Sequence, residues 1–179
     1  MASRRLTVLL ACMVWFTGAG TAVTAQSAAA SMQVLADVSD IQISIASVAQ
    51  LQFGDVIPGT PHTIDPTVSP DAGKFEILGA RRAEFTLSMT LPTLLRAGTG
   101  PFTIPIGFGA TAGCFYARDR QNQCNTWDPG TALTGRIRPT PPPNNTFYVW
   151  LGGTVTPSPT QVPGVYSAVV TASVAYTGN

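Results

Sequence analysis

Apolar and polar residues alternate along most of the chain after residue 40. Ile41, Ile43 and Ile45 are separated by Gln42 and Ser44, the period of a half-buried strand. Val48 to Ile57 continues the pattern with Leu51 and Phe53 on one face, until Pro58-Gly59 signals a turn. Phe75 and Ile77 share a face in a short strand over 74–78. Phe85, Leu87, Met89 and Leu91 do so in a longer one over 82–91, which Pro92 ends. Further strands are predicted over 102–108, 135–138, 147–156 and 165–176. Gly152-Gly153 predicts a bulge or kink within the 147–156 strand. The last strand is the most regular: Tyr166, Ala168, Val170, Ala172, Val174 and Tyr176 form one face. Between these runs, the prolines at 61, 66 and 70 mark an edge strand or extended loop. Pro105 marks an edge or bulge, 114–124 a polar excursion and 139–143 a proline-rich loop. No long stretch after residue 25 has a helical period. The pattern therefore predicts an all-β chain, a β-sandwich of about 8–10 short antiparallel strands.

The N-terminus has a different logic. Arg4 and Arg5 precede an apolar run from Leu6 to Phe16, which Gly18 and Gly20 interrupt. Val23-Thr24-Ala25 then supplies small residues. That order is a secretory signal peptide over 1–25, with cleavage near Ala25. The run is too short for a membrane span, which needs about 18–20 apolar residues. Leu10-Ala11-Cys12 resembles a lipoprotein cleavage box, but cutting there would divide the apolar run. Residues 26–40 then form a flexible extension rich in Ala and Ser, and 41–179 a single sandwich domain. The expected location is outside the cytoplasm: periplasm, cell surface or extracellular space.

Charge narrows the function classes. The net charge is +1 and 11% of residues are charged, so losing Arg4 and Arg5 leaves the mature chain near neutrality. Lys74 is its sole lysine. Nucleic-acid binding needs a basic stripe that this composition lacks. Cys12 departs with the signal, which leaves Cys114 and Cys124. In an oxidising compartment that pair is expected to form a disulfide. Zinc would need further ligands nearby, and the single histidine, His62, is distant in sequence. His62 lies in a loop, there is no G-x-S-x-G elbow, and no carboxylate pair stands out. The expectation is a non-enzymatic chain without metal or cofactor. Trp127 and Trp150, with Tyr116, Tyr148 and Phe147, are either inter-sheet packing or a platform for sugar rings.

Three blocks carry a family resemblance. Leu51-Gln52-Phe53-Gly54-Asp55-Val56-Ile57-Pro58-Gly59 resembles the opening of a bacterial exported family, domain of unknown function 4402. Ala83-Glu84-Phe85-Thr86-Leu87 and Leu91-Pro92 resemble its middle. Leu151-Gly152-Gly153-Thr154-Val155 and the stretch from Gly164 to Tyr176 resemble its ending. The resemblance covers about residues 41–176. The Cys114–Cys124 segment and the run from Pro139 to Pro143 stand outside it. The layout is also similar to spore-coat-U-like and chaperone–usher pilin subunits, which place a glycine about a dozen residues before a near-terminal tyrosine, as Gly164 and Tyr176 do here.

The resemblance implies an immunoglobulin-like, pilin-like sandwich and a surface or pilus-like subunit assembled by β-strand addition. It implies self-association or related subunits as partners, with a periplasmic chaperone. The expected donor segment is 32–45, whose groove-filling side chains would be Val34, Val38, Ile41, Ile43 and Ile45. The C-terminal strand bordering the groove would carry Gly164, Tyr166, Val170, Val174 and Tyr176. The other reading is a secreted adhesin or carbohydrate-binding module, which requires Trp127 or Trp150 to be exposed.

Overall fold

A computed structural model describes residue 33 and residues 41–98, 100–138 and 145–178. The signal-peptide reading, the proline run at 139–143, and Val34 and Val38 lie outside those residues. The described chain is all-β. Its strands are β1 (Ser44–Ala49), β2 (His62–Ile64), β3 (Gly73–Leu78), β4 (Glu84–Thr90), β5 (Leu94–Ala97), β6 (Thr103–Gly107), β7 (Gly113–Tyr116), β8 (Asn125–Trp127), β9 (Leu133–Arg136), β10 (Thr146–Leu151), β11 (Gly153–Val155), β12 (Tyr166–Ser167) and β13 (Thr171–Tyr176). One 3₁₀ turn spans Gln121–Gln123.

The first sheet has the order β1-β3-β10-β7-β8. The opposing layer has two parts, β13-β4-β9 and β12-β5-β6-β11-β2. All pairings are antiparallel. Ser44, Leu78 and Thr146 share a rung at what we call the upper end of the first sheet. Gly73, Leu151 and Gly113 share its lower rim. Ile77, Phe147 and Val149 of the first sheet pack against Phe85, Leu87 and Leu133 of the other layer. Burying each such side chain contributes about 1.5–3 kcal/mol. Phe85 meets Phe147 edge-on at 5.0 Å between ring centroids.

More strands form than the alternation predicts: those expected over 147–156 and 165–176 are each broken in two, and β2, β5, β7 and β8 form outside the predicted strands. β10 and β11 part at Gly152, and the second half joins the other layer, so the predicted kink becomes a crossing between sheets. β4 and β5 part around Pro92, opposite the break between β12 and β13. The ladder pairs Thr171 with Thr90 but Tyr166 with Ala97, so the β4–β5 side carries two extra residues across the gap. Proline has no N–H for the ladder, and the excess is accommodated there. The expected unbroken strand over 165–176 is thus corrected to two.

Three further expectations change. Val48 to Ile57 does not continue as a strand: β1 ends at Ala49 and the following residues run without a ladder. The polar excursion at 114–124 begins with a true strand, β7, which lies inside the first sheet between β10 and β8. Pro105 sits within β6, between β5 and β11, and not on an edge. Its carbonyl accepts from the Thr156 N–H at 3.0 Å, so its missing N–H faces the same side, where β11 has ended. The bond forgone is the return bond from position 105 to the Thr156 carbonyl, just past the end of β11.

Candidate functional site

Two places gather the residues singled out above: the outer face of the first sheet, and the open side of the sandwich. The outer face holds the disulfide. Cys114 in β7 and Cys124 after the 3₁₀ turn are bonded, with Cα atoms 5.6 Å apart. The loop they close lies over Tyr148 and Trp150 of β10 and forms a small apolar cluster with them. Gln121 Nε2 donates to the carbonyls of Pro66 and Ser69, at 2.9 and 2.7 Å. Lys74 Nζ bonds Asp119 Oδ1 at 2.6 Å and sits 4.9 Å from the Tyr148 ring centroid and 5.8 Å from that of Trp150. Tyr148 donates its hydroxyl to Glu76 Oε1 at 3.1 Å. Burial pushes the Tyr148 phenol above its ordinary pKa, and the neighbouring carboxylates of Glu76 and Asp119 add to the effect.

Burial decides the role of the tryptophans, Trp150 in this cluster and Trp127 in the main core. Trp150 is 3% exposed and Trp127 is 9% exposed, so neither offers a ring face to a sugar. Gly113 makes room for Trp127, because a Cβ there would come within 2.8 Å of its ring. Both are packing residues. Replacing Cys114 and Cys124 together by serine is expected to cost about 2–3 kcal/mol, the range for a short closed loop. It should also let water reach Trp150. A chemical-denaturation midpoint and the tryptophan emission maximum read both effects, and an unshifted midpoint would refute the clamp.

His62 starts β2, is exposed and stands edge-on to Phe53 at 6.4 Å. Among the described residues no three His, Cys, Asp or Glu side chains are placed to hold a metal ion. Asp65 has a local role: its carboxylate accepts from the Thr67 N–H at 2.8 Å and the Thr67 hydroxyl at 2.7 Å. The backbone bond first, then the hydroxyl, hold its pKa below the ordinary value.

The open side is a groove of about 730 Å³. One bank is the irregular run from Gln50 to Val56 that follows β1. The other is Gly164 to Val170, including β12. The floor is Ile104, Ile106 and Val155, which are buried, with Leu95 and Phe108 beside them. Phe53, Val56 and Tyr166 line the walls. Tyr166 is held by its hydroxyl, which donates to the Val162 carbonyl at 2.6 Å and accepts from Gln161 Nε2 at 2.7 Å. Ala168, Val169 and Val170 belong to no ladder, and Val165 and Val169 are 86% and 81% exposed. An apolar cleft beside an unpaired chain edge is a place for an added strand.

The groove unites two of the sequence blocks. Phe53, Gly54, Asp55 and Val56 come from the opening one, Gly164, Tyr166 and Val170 from the ending one. Val174 and Tyr176 lie further up β13 and pack against the main core. The Tyr176 hydroxyl accepts from the Ala80 N–H at 2.6 Å and donates to the Ile41 carbonyl at 2.9 Å. The expected donor residues divide. Ile45 is in β1, paired with Ile77 of the same chain, and with Ile43 it packs on this chain's own core. Ile41 is exposed at the upper end. The groove floor was not foreseen as a site. Its signal was the alternation of Ile104, Ile106 and Phe108, which marks an apolar face without showing that the face is left uncovered. No helix among the described residues is long and apolar enough to cross a membrane. No family model, no curated protein and no solved structure matches the chain.

Proposed function

We propose that this chain is an exported structural subunit of a cell-surface or pilus-like assembly, built by β-strand addition. The observation that carries the reading is the open groove between the 50–56 and 164–170 banks. Its apolar floor and ladderless edge at Ala168–Val170 suit an extended apolar segment. The resemblance to pilin-like families supports it. So does the alternating sequence of the extension, where Met32, Val34 and, after a slip, Val38 are spaced for one strand face. The donor is residues 26–40 of a neighbouring copy. Ile41 lies beside Tyr176 at the upper end of β13, whereas the groove begins below Thr171, roughly 20 Å away along the strand. A neighbour's extension can reach the groove without running back along β13.

The test compares the mature chain with one lacking residues 26–38, by electron microscopy and sedimentation. The truncated chain is expected to stay folded and monomeric, and the intact chain to form fibres. Fibres from the truncated chain, or an intact chain that remains monomeric at high concentration, would overturn the reading.

A further inference from the structure

The lower tip of the molecule is apolar. β5, β6 and β12 continue below the lower rim of the first sheet, and the connection from β5 to β6 lies at their far end. The Ala97 N–H donates to the Phe102 carbonyl at 3.0 Å, which closes that connection. Residues Val162 to Tyr166 join it in lining a second, smaller hollow of about 260 Å³, around which Phe102, Val162 and Val165 are all exposed. No residue from 97 to 107 or from 156 to 170 is charged. Single exposed apolar side chains are ordinary, but three around one uncharged hollow mark a contact surface. The hollow shares Gly164, Val165 and Tyr166 with the groove, so the two are continuous.

Above Val170 the chain closes the groove itself. Ile43 and Ile45 pack on the main core with Val174 and Tyr176, and the Ile41 carbonyl accepts from the Tyr176 hydroxyl at 2.9 Å. An extension lying in the groove therefore leaves it at the lower tip, and the subunit to which it belongs sits there. That extension joins its own subunit at Ile41, at the upper end. Beside it the upper end carries Leu78, and both side chains are exposed.

We infer that the Phe102/Val162/Val165 tip of one copy seats the upper end of the next, around Ile41 and Leu78, in an apolar head-to-tail contact. The inference rests on the strand-addition reading and adds to it a second contact between the folded bodies. Two different surfaces at opposite ends of one molecule form a heterologous interface, which repeats without closing and gives a filament. Arg96 on β5, and Arg81 and Arg82 after β3, are exposed and come to the rim of this contact. Exposed like charges are screened over about 8 Å at physiological salt, and arginine stems lie readily over apolar surface. Burial of the apolar side chains at the centre therefore decides the sign.

The test uses the mature, full-length protein and two neutral substitutions, Phe102→Gln at the tip and Leu78→Gln at the upper end. Neither side chain lines the groove. Below the assembly threshold, each variant is expected to keep its circular dichroism and its capture of a synthetic peptide of residues 26–40, read by fluorescence anisotropy. The threshold concentration for fibres, read by sedimentation, should rise on the order of tenfold in each, the effect of losing one anchoring side chain. Between the two thresholds each variant alone stays monomeric. An equimolar mixture stops at dimers, because the intact tip of the Leu78→Gln copy seats the intact upper end of the Phe102→Gln copy and no further contact is complete. Val68→Gln, at an exposed position in the turn after β2, is the control and should assemble like the wild type. A tip variant with the wild-type threshold, the result if the tip serves a lipid surface or a different protein, overturns the inference. So does a mixture that stays monomeric, or a variant that loses peptide capture. Failure of strand addition reads differently: the wild-type chain itself would then not capture the peptide.

Discussion

Phe85→Ala is expected to destabilise the domain by about 3–5 kcal/mol, the range for deleting a fully buried aromatic side chain. Phe85 is fully buried, and its ring joins the two layers. It meets Phe147 of the first sheet edge-on, and its backbone is paired with Gly135 on one side and Tyr176 on the other. Gly135 lies so close that a Cβ there would come within 2.9 Å of a second ring atom. The ring therefore has no slack neighbour to fill the void. Removing it leaves a cavity bounded by strands of both layers, and these can collapse only by bending a ladder. Urea unfolding of the truncated monomer measures the change. A loss below about 1 kcal/mol would mean that the core closes over the gap and that the two-layer packing described above is wrong. Phe85→Leu should recover part of the loss, since it refills most of the space without the edge-on contact.

Gly152→Ala is the second large effect, and it acts by the opposite mechanism. At Gly152 the chain leaves β10 in the first sheet and enters β11 in the other layer. A Cβ at this point would overlap the Ile64 carbonyl oxygen and come within 2.7 Å of Pro66 Cδ. These are backbone and ring atoms, so no rotamer change relieves the overlap. The Gly152 N–H also donates to the Ala112 carbonyl at 2.7 Å, which fixes the strand where it crosses. Overpacking against such groups costs about 1–3 kcal/mol or more. The crossing also positions Val155 in the groove floor. Gly152→Ala should therefore reduce both the unfolding midpoint and the capture of a synthetic peptide of residues 26–40, measured by fluorescence anisotropy. Gly98→Ala is the control, because a Cβ at Gly98 meets nothing within 4 Å. Equal behaviour of the two variants would refute the argument.

These two positions show what the sequence made legible and what it did not. Phe85 was visible as the start of a clean alternation from Phe85 to Leu91, and its burial follows from that period. The Gly152-Gly153 pair was visible as a break, but not as a change of sheet. A kink and a crossing look alike in sequence, and only the partners on either side tell them apart. The interruption at Ala168–Val170 was hidden for a related reason. Its cause is Pro92, on the strand it pairs with, nearly eighty residues earlier. The strand β7 was masked by the polar residues that follow it and by Gly113, whose lack of a side chain hides its packing against Trp127. The groove banks could be named from the opening and ending blocks. That they face one another is a consequence of topology, which periodicity does not carry.

The hydroxyl of Tyr176 joins three separate parts of the chain: the last strand, Ala80 in the turn after β3, and Ile41 before β1. This has a mechanical meaning. Tension on an extension captured by a neighbour would arrive at Ile41 and pull β1 along its own axis. The rungs from Ser44 to Ala49 would then be loaded together in shear against β3, and not peeled one at a time. The Tyr176 knot would pass part of that load to β13 on the other layer. A chain wired in this way would resist stretching with both sheets at once.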